Sequence, residues 1–325
     1  MYDSEPNALV RTKEVTYPSR YGDWDHDVVL RDEMPKSADW DLIIIGTPPD
    51  THVELALAVL SSLEPKILLI EKPLCSPNHS ELERMVTQGK TTKTKILVGY
   101  NHLFTTNTLR LKSLLNEGYV GKPQSIHVRW LEHWGGIFDA HPWLAGPSDS
   151  YLGSWKRGGG SCGEHSHGIS LWQHCADLSG AGRIVEVSAH MKIVESESIC
   201  YDETSVLSFV TENGVIGSVI QDVVTSPPEK MLRIQGVDGY VEWYANYDGK
   251  HDAIRYGNSR NPSKLDKFSK HRPDDFTGEI SHIQKMFDNQ VVVSPNDLDH
   301  GVQTMRVVVA AYESNMYKKS VTIDL

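Results

Sequence analysis

A lysine stands directly after a short apolar segment of the chain. Ile67-Leu68-Leu69-Ile70 is followed by Glu71-Lys72-Pro73. Four consecutive apolar residues indicate a strand that is buried on both faces of a parallel sheet. Ligands bind beyond the carboxyl ends of such strands, so the Lys72 ammonium is placed where it can stabilise negative charge that develops on a substrate. The alternative is a solvent-exposed Glu–Lys pair that simply ends the strand.

Four side chains near residue 165 have the chemistry of metal ligands: Glu164, His165, His167 and His174. Carboxylate oxygens and imidazole nitrogens suit zinc or iron. The sequence predicts one helix here, and residues two apart on a helix point about 200° apart, so His165 and His167 cannot both face one ion. We therefore expect no metal site, and we expect His174 to pack near the end of the helix.

Strand and helix patterns alternate in the first hundred residues. Buried strands are expected at residues 42–45, 67–70 and 95–99, and helices at about 52–63 and 80–88, the first capped by Asp50 or Thr51. This alternation with short links predicts a parallel sheet with right-handed crossovers. The three strand ends should line one crevice, which carries Gly46-Thr47-Pro48, Glu71-Lys72-Pro73 and Tyr100-Asn101.

After residue 102 the pattern changes. Alternating strands and the hairpin signals Asn213-Gly214 and Asp238-Gly239 predict a large, mostly antiparallel sheet with helices on one face. Residues 132–157 form a long aromatic loop that either contributes to function or covers the edge of the core. The fold class is thus α/β, with a partial Rossmann-type parallel sheet in residues 1–102 and an α+β domain in residues 103–325.

Three helices are expected in this second part. One runs from the glycine triplet at residues 158–160 to about Leu178, and the last begins near Asp297. The helix between them should turn one apolar stripe inward, formed by Phe276, Ile280, Ile283 and Phe287.

Composition limits the classes of function. The net charge is -11 and no Lys/Arg-rich run occurs, which argues against nucleic acid as a partner. The four cysteines include no CxxC pair, which is typical of a reducing compartment, so we expect a cytoplasmic protein. The first residues do not have the pattern of a signal peptide, and no apolar run is long enough to span a membrane.

The order of these motifs resembles the glucose–fructose oxidoreductase / inositol dehydrogenase (Gfo/Idh/MocA) family from about Asp41 onwards. Glu71-Lys72-Pro73 resembles the EKP motif of the family, and Thr47-Pro48 with His52 resembles the loop under the nicotinamide. Val98-Gly99-Tyr100-Asn101 is similar to the next strand, and the helix from Gly158 through Glu164 and His167 is similar to the catalytic helix.

The resemblance implies that NAD or NADP exchanges a hydride with a hydroxyl carbon of a sugar, sugar nucleotide or polyol. It implies catalytic roles for Lys72, Glu164 and His167, of which Glu164 stands where the family usually has an aspartate. An imidazole with a pKa of about 6.5 can take the hydroxyl proton near neutral pH. With i, i+3 spacing, Glu164 and His167 should share one helix face.

The resemblance also implies binding residues. Those for the cofactor are Asp3, Thr47, Pro48, His52, Glu71, Lys72 and Asn101. Those for the substrate are Tyr100, Trp155 and Lys156, although Lys156 and Arg157 also fit a solvated basic pair. A homo-oligomer through the sheet of the second domain is expected as well, with no nucleic-acid or membrane partner.

The start of the chain departs from the family pattern. The dinucleotide fingerprint G-x-G-x-x-G does not occur near the start, and its glycines allow the backbone to approach a pyrophosphate. Met1-Tyr2-Asp3 resembles the end of a second strand, with Asp3 in the position of the acid that binds the ribose. We therefore expect an N-terminally incomplete chain that lacks about thirty residues, one βαβ start. Residues 1–325 alone should expose a hydrophobic sheet edge, dissolve poorly and bind NAD(P) weakly or not at all.

A second interpretation stays open. A non-catalytic relative would use the crevice or the sheet to bind a sugar or a protein partner, since fold alone does not define function.

Overall fold

The computed structural model describes residues 1–36, 39–271 and 273–323 of the chain. The N-terminal segment consists of α1 (Pro6–Arg11), a π-helical turn (Thr12–Thr16) and α2 (Tyr17–Tyr21). One parallel bridge, between Tyr2 and Arg31, ties the two ends of this segment together.

The three-stranded parallel sheet is as predicted. Its elements in chain order are β1 (Leu42–Ile45), α3 (His52–Ser62), β2 (Ile67–Ile70), α4 (His79–Gly89) and β3 (Lys95–Val98). The strand order is β1-β2-β3, and both pairings are parallel. All three strands therefore present their carboxyl ends at one edge, where the site residues were expected.

Two details of this sheet differ from the prediction. β2 is fully buried, but β1 is not, because it lies at the edge of the described sheet and Ile44 is 50% exposed. Neither Asp50 nor Thr51 caps α3 through its side chain. The Thr51 hydroxyl instead donates to the Pro48 backbone oxygen and thereby closes the preceding loop.

The second part is built on a nine-stranded sheet. The first half of its elements, in chain order, are α5 (Thr106–Asn116), β4 (Pro123–Leu131), α6 (Gly135–Ala140), α7 (Gly160–Glu164), α8 (His167–Ser179), β5 (Ile184–Glu195) and β6 (Cys200–Thr211). The remainder are β7 (Ile216–Asp222), β8 (Glu229–Gly236), β9 (Tyr240–Ala245), β10 (His251–Asn258), β11 (Asn261–Ser269), α9 (Asp274–Phe287), α10 (Leu298–Tyr317) and β12 (Val321–Thr322).

The strand order is β11-β10-β9-β8-β4-β7-β6-β5-β12, and within the described residues every pairing except β4–β7 is antiparallel. This confirms the predicted large, mostly antiparallel sheet. The β10–β11 hairpin was not predicted. The domain boundary predicted between residues 102 and 103 falls within a 3-10 turn, Asn101–Phe104, and stays a prediction.

The single helix predicted from residue 158 to 178 is two helices. α7 ends at Glu164 and α8 begins at His167. The carbonyl group of His165 accepts a hydrogen bond from the Gln221 side chain on β7, and the His165 ring lies 3.2 Å from the Glu132 oxygen. These tertiary contacts hold His165 outside regular helix geometry.

The apolar stripe predicted for α9 is also wrong in part. Phe276 and Ile280 are exposed, whereas Glu279 and Ile283 are buried. Gly278 allows this rotation, because a Cβ atom there would lie 2.8 Å from the Phe104 backbone oxygen. The helix therefore packs closely on the 3-10 turn that follows β3.

α10 is the longest helix and lies against β5 and α8. Asp297 caps it as predicted, with the His300 amide donating to the Asp297 carboxylate. Among the described residues, no helix combines the length and the apolar character needed to cross a lipid bilayer.

Candidate active site

The Lys72 ammonium is held by one residue of the second part of the chain. Nζ of Lys72 donates to Oε1 of Glu164 at 2.7 Å and to the backbone oxygen of Glu164 at 2.9 Å. Both side chains are largely buried. Lys72 follows β2 and Glu164 ends α7, so this pair joins the parallel sheet to the second part. An ammonium has three donors, and the structure records partners for two of them.

Glu164 also accepts a hydrogen bond from Tyr151, whose hydroxyl lies 2.8 Å from Oε2. Burial alone would raise the pKa of Glu164, but the Lys72 charge, His165 and the hydrogen bonds lower it below its usual value. The carboxylate is therefore ionised and the Lys72 ammonium has a fixed counterion. Burial beside this carboxylate raises the pKa of Tyr151, which stays a neutral donor.

His167 stands beside this pair in an aromatic enclosure. Its ring stacks on Trp130 at 5.6 Å between centroids, and the His102 ring meets it edge-on at 5.0 Å. Burial lowers the pKa of His167 well below 6.5, and His102, Lys72 and Lys230 lower it further. The imidazole is thus neutral near pH 7 and can accept a proton. Its Nδ1 atom is buried without a hydrogen-bond partner among the described residues.

The strand ends come together as predicted. The buried His52 ring connects two of them, because Nε2 lies 2.7 Å from the Thr47 oxygen and Nδ1 lies 3.0 Å from the Pro73 oxygen. The Glu71 side chain lies against the third strand end, where Gly99 follows β3, since a Cβ atom at Gly99 would lie 2.9 Å from Oε2 of Glu71. Thr47, Pro48, His52, Glu71 and Lys72 therefore form one continuous edge.

The other predicted cofactor residues have different surroundings. Asn101 is buried beside this edge, and its Oδ1 atom has no partner among the described residues. The hydrogen bonds recorded for Asp3 join it to Glu5 and Arg31 of its own N-terminal segment. The cofactor roles of both residues stay predictions.

The predicted substrate contacts lie around the site at different depths. Tyr100 is fully buried and meets the His167 ring edge-on at 5.7 Å. Trp155 is half-buried and stacks on Tyr312 at 4.5 Å, while Lys156 is exposed. Their roles in binding substrate stay predictions.

The break between α7 and α8 changes one geometric argument. The prediction that Glu164 and His167 share one helix face is wrong, because the two residues belong to different helices. Both still lie beside Lys72, whose charge acts on the pKa of each. Within the described residues, no group of three or more His, Cys, Asp or Glu side chains is arranged to bind a metal ion.

Sequence reasoning missed several groups of the site. Tyr151 was noted only as one aromatic residue of a loop, and no spacing related it to Glu164. His102 had a usable signal, because it directly follows the third strand end. Lys230, which lies 2.6 Å from Glu132 and 5.3 Å from the centre of the Trp130 ring, had none.

The residues present fit the nicotinamide half of a dinucleotide. Exposed Thr47 and Pro48 lie on the loop after β1, which His52 joins to Pro73 beside Lys72, and Gly158 approaches the same loop, where a Cβ atom would be 2.8 Å from Pro49. The same fit does not extend to the pyrophosphate half of the cofactor, because residues 1–45 contain a single glycine, Gly22, and therefore no glycine-rich loop. Chemically, the arrangement offers a neutral imidazole that can remove the proton of a substrate hydroxyl group and a fixed ammonium that can stabilise the resulting alkoxide.

Two family models match the chain. One is described as an oxidoreductase family with an NAD-binding Rossmann fold and matches residues 6–100. The other is the GFO/IDH/MocA C-terminal domain, which matches residues 108–242. An inositol 2-dehydrogenase of Mycolicibacterium gilvum (strain PYR-GCK) is 34% identical over 90 residues, or 28% of this chain and 25% of that protein. The match thus spans a quarter of the length of that relative.

Solved structures share the fold over nearly the whole chain. An oxidoreductase from Agrobacterium radiobacter in complex with NAD+, L-tartaric acid and magnesium has a TM-score of 0.75 at 16% identity, covering 99% of this chain and 89% of that one. The WlbA dehydrogenase from Bordetella pertussis, in complex with NADH and UDP-GlcNAcA, has a TM-score of 0.69 at 19% identity, covering 100% and 90%. At these identities the likeness shows a shared fold. With the two domain models, it shows that the chain belongs to the GFO/IDH/MocA family of oxidoreductases.

Proposed function

We propose that this protein is an NAD(P)-dependent oxidoreductase that acts on a hydroxyl carbon of a polyol, sugar or sugar nucleotide. The observation that carries the proposal is the Lys72–Glu164 pair at the end of β2, with neutral His167 beside it. A cation next to an uncharged base is the pair of groups that oxidation of an alcohol requires.

The related proteins support the substrate class. The curated relative is an inositol 2-dehydrogenase, and the WlbA structure holds NADH with UDP-GlcNAcA. Inositol is a polyol and UDP-GlcNAcA is a sugar nucleotide, so both present secondary hydroxyl groups. The proposal therefore covers this range and does not select one compound.

The residues of this chain would divide the reaction as follows. When bound, NAD(P)+ supplies the hydride acceptor. Lys72 directs its remaining N–H donor at the substrate oxygen and stabilises the alkoxide, while Glu164 keeps the ammonium in place. His167 takes the hydroxyl proton onto its imidazole, which the enclosure of Trp130 and His102 keeps neutral beforehand. In the reverse direction, imidazolium His167 returns that proton.

The test measures cofactor binding and hydride transfer. NADH and NADPH are titrated by energy transfer from the eight tryptophans, and reduction of NAD+ or NADP+ is followed with myo-inositol, common aldoses and UDP-GlcNAcA. Two proteins are compared, namely residues 1–325 and the same chain preceded by the first strand and glycine-rich loop of a family member. We expect hydride transfer by the extended protein and weak or no cofactor binding by residues 1–325 alone.

The outcomes separate the two interpretations of the sequence. Substrate-dependent NAD(P)H formation that disappears in Lys72→Met supports the proposal. Cofactor binding without turnover of any compound would favour a non-catalytic relative that binds a sugar or a protein. Failure of both proteins to bind NADH and NADPH would overturn the cofactor assignment.

We also propose a homo-oligomer formed through the outer face of the nine-stranded sheet. Several apolar side chains on its strands are exposed, among them Val206 and Ile216. Light scattering during size-exclusion chromatography should give at least twice the monomer mass, and Val206→Lys should reduce it. A monomer across the accessible concentration range would contradict this proposal.

A further inference from the structure

One ionisable carboxylate of the second part is fully buried and takes no part in the chemistry described above. Asp202 lies on β6 and has no exposed surface. The pairing of β6 with β5 shifts register between Lys192 and Ile193, which marks a β-bulge at Glu203. A bulge adds one residue to a strand and reverses the direction of the side chains beyond it, so Asp202 faces the core with Ser205.

The Asp202 carboxylate holds the first turn of α7. Its Oδ2 accepts hydrogen bonds from the Ser161 hydroxyl and the Cys162 amide, both at 2.7 Å. Gly160 makes this approach possible, because its φ is +76° and a Cβ atom there would lie 1.9 Å from Oδ1 of Asp202. α7 is a single turn from Gly160 to Glu164, so a shift of its first residues moves Glu164 as well.

The same carboxylate reaches a second part of the site. Oδ1 of Asp202 accepts from the Tyr312 hydroxyl of α10 at 2.6 Å, and the Tyr312 ring stacks on Trp155. The three recorded donors are neutral: two hydroxyl groups and one amide. A buried carboxylate costs free energy unless such donors satisfy it. The side-chain amide of Asp202→Asn would direct its own N–H group at one of these donors, and that hydrogen bond would be lost.

We infer that Asp202 is a positioning residue that sets the place of Glu164, and through it the place of the Lys72 ammonium. The catalytic meaning of this inference rests on the proposed function. The geometric part, from Asp202 through α7 to Lys72, can be measured without any turnover.

The charge state of Asp202 depends on its burial. Burial raises the pKa of Asp202 to about 6, although its hydrogen bonds act in the opposite direction. The titratable groups that face it are Cys162 of α7, Tyr312 of α10 and Cys200 of its own strand, and the pKa values of Cys162 and Tyr312 are raised well above their usual range. Because this folded-state pKa lies above the ordinary value, the stability that Asp202 contributes is complete at low pH and falls as the pH rises through about 6, so acid should not release α7.

The experiment measures how accessible Lys72 is to an amine reagent. The full chain is briefly acetylated with acetic anhydride, and mass spectrometry gives the ratio of modification at Lys72 to that at Lys66, an exposed lysine that precedes β2. In the wild type we expect a low ratio at about pH 8, with no rise at about pH 5. Asp202→Asn should give a ratio about threefold higher than that of the wild type at both pH values.

A matched control separates this effect from general loss of stability. Asp252 is another buried carboxylate of the same sheet, on β10, where it accepts from the Asn246 amide and faces Lys270. Asp252→Asn should keep the wild-type ratio at both pH values. If Asp202→Asn does not fold, Ser161→Ala and Tyr312→Phe each remove one donor and should give intermediate ratios at about pH 8.

The inference is overturned if Asp202→Asn, or both donor variants, retain the wild-type ratio. It is also overturned if Asp252→Asn changes the ratio as much as Asp202→Asn does. Where hydride transfer is observed, Asp202→Asn should lower kcat about tenfold and leave the KM for the cofactor unchanged, since only the Lys72 side of the site moves. Absence of turnover in the extended protein would count against the proposed function, whereas the labelling ratios would still test Asp202.

Discussion

Nζ of Lys72 lies 2.7 Å from the carboxylate and 2.9 Å from the backbone oxygen of Glu164, so a single residue satisfies two of the three donors of the ammonium. The second carboxylate oxygen accepts from Tyr151. Buried charges are costly unless they are paired and hydrogen-bonded, and here both conditions hold. The arrangement fixes the direction of the remaining N–H donor more strictly than a solvated lysine would.

In the extended protein, replacement of Lys72 by methionine should abolish most of the hydride transfer. The variant keeps the length of the side chain but removes the charge that stabilises the alkoxide, so we expect kcat to fall by about 10² to 10⁴-fold. It also leaves the Glu164 carboxylate buried without its counterion, which should lower the free energy of unfolding by about 3 kcal/mol. Steady-state kinetics and urea denaturation measure the two effects separately.

Lys66 offers a matched control for that variant. It precedes the same strand and pairs with Asp41 at 2.6 Å, but both side chains are exposed. Exposed ion pairs contribute little, so Lys66→Met should leave both kcat and the free energy of unfolding almost unchanged. Equal losses in the two variants would show that the placement of Lys72 has no special role.

Stability should depend on Glu164 in a pH-dependent manner. Burial alone would raise the pKa of Glu164, but Lys72, His165 and the hydrogen bonds lower it overall. A carboxylate with a depressed folded-state pKa stabilises the protein above its unfolded pKa of about 4.5, and this contribution is lost as the pH falls through the folded-state value. Glu164→Gln should therefore be about 3 kcal/mol less stable than the wild type at pH 7.

Urea denaturation at several pH values checks this. The difference between the wild type and Glu164→Gln should be largest near neutral pH and should shrink below about pH 4.5. A difference that stays constant over this range would mean that packing of the side chain, and not its charge, stabilises the protein.

The sequence was a good guide to elements whose apolar pattern is local. Ile67–Ile70 is fully buried as predicted, and the turn that follows it places Lys72 at the edge where the three strand ends meet. Leu42–Ile45 has an equally apolar pattern but a different environment, since burial of a strand also depends on its neighbours in the sheet. Composition cannot report which strands lie at an edge.

Contacts between distant residues explain the other differences. The predicted helix through residue 165 is broken because Gln221, which lies 56 residues further along the chain, bonds to the His165 carbonyl. Phe276 and Ile280 point outward because α9 packs through Gly278 and buries Glu279. The Tyr151–Glu164 bond likewise depends on how a loop folds back on α7. Such pairings arise from tertiary structure, and no single periodicity encodes them.

The neutral state of His167 can be tested by NMR. Burial lowers the pKa of His167 well below 6.5, and the nearby charges of Lys72 and Lys230 act in the same direction. The Cε1 proton, assigned by comparison with His167→Asn, should titrate at a clearly lower pH in the folded protein than in urea, where about 6.5 is expected. Lys230→Met should raise the folded value. A midpoint near 6.5 in the folded wild type would contradict the neutral enclosure.

Glu279 provides a test of a buried acid on the other side of the parallel sheet. Burial and the charge of Glu71 raise the pKa of Glu279 to about 8, although a hydrogen bond from Asn296 acts in the opposite direction. A group whose folded-state pKa is raised contributes stability that is complete below its unfolded pKa of about 4.5 and is lost as the pH rises through about 8. At pH 7 the side chain is therefore mostly a protonated, neutral acid.

Glu279→Gln replaces this acid with a neutral side chain of the same shape that can still accept from Asn296. The stability of the wild type relative to Glu279→Gln should fall by about 1 kcal/mol per pH unit between pH 5 and pH 8, since one pKa unit corresponds to about 1.4 kcal/mol. Urea denaturation at pH 5, 6, 7 and 8 measures the slope. Glu5→Gln, on the exposed N-terminal segment, should show no such slope relative to the wild type. A stability difference between wild type and Glu279→Gln that does not change with pH would mean that Glu279 stays ionised, and that some unrecognised cation or water compensates its charge.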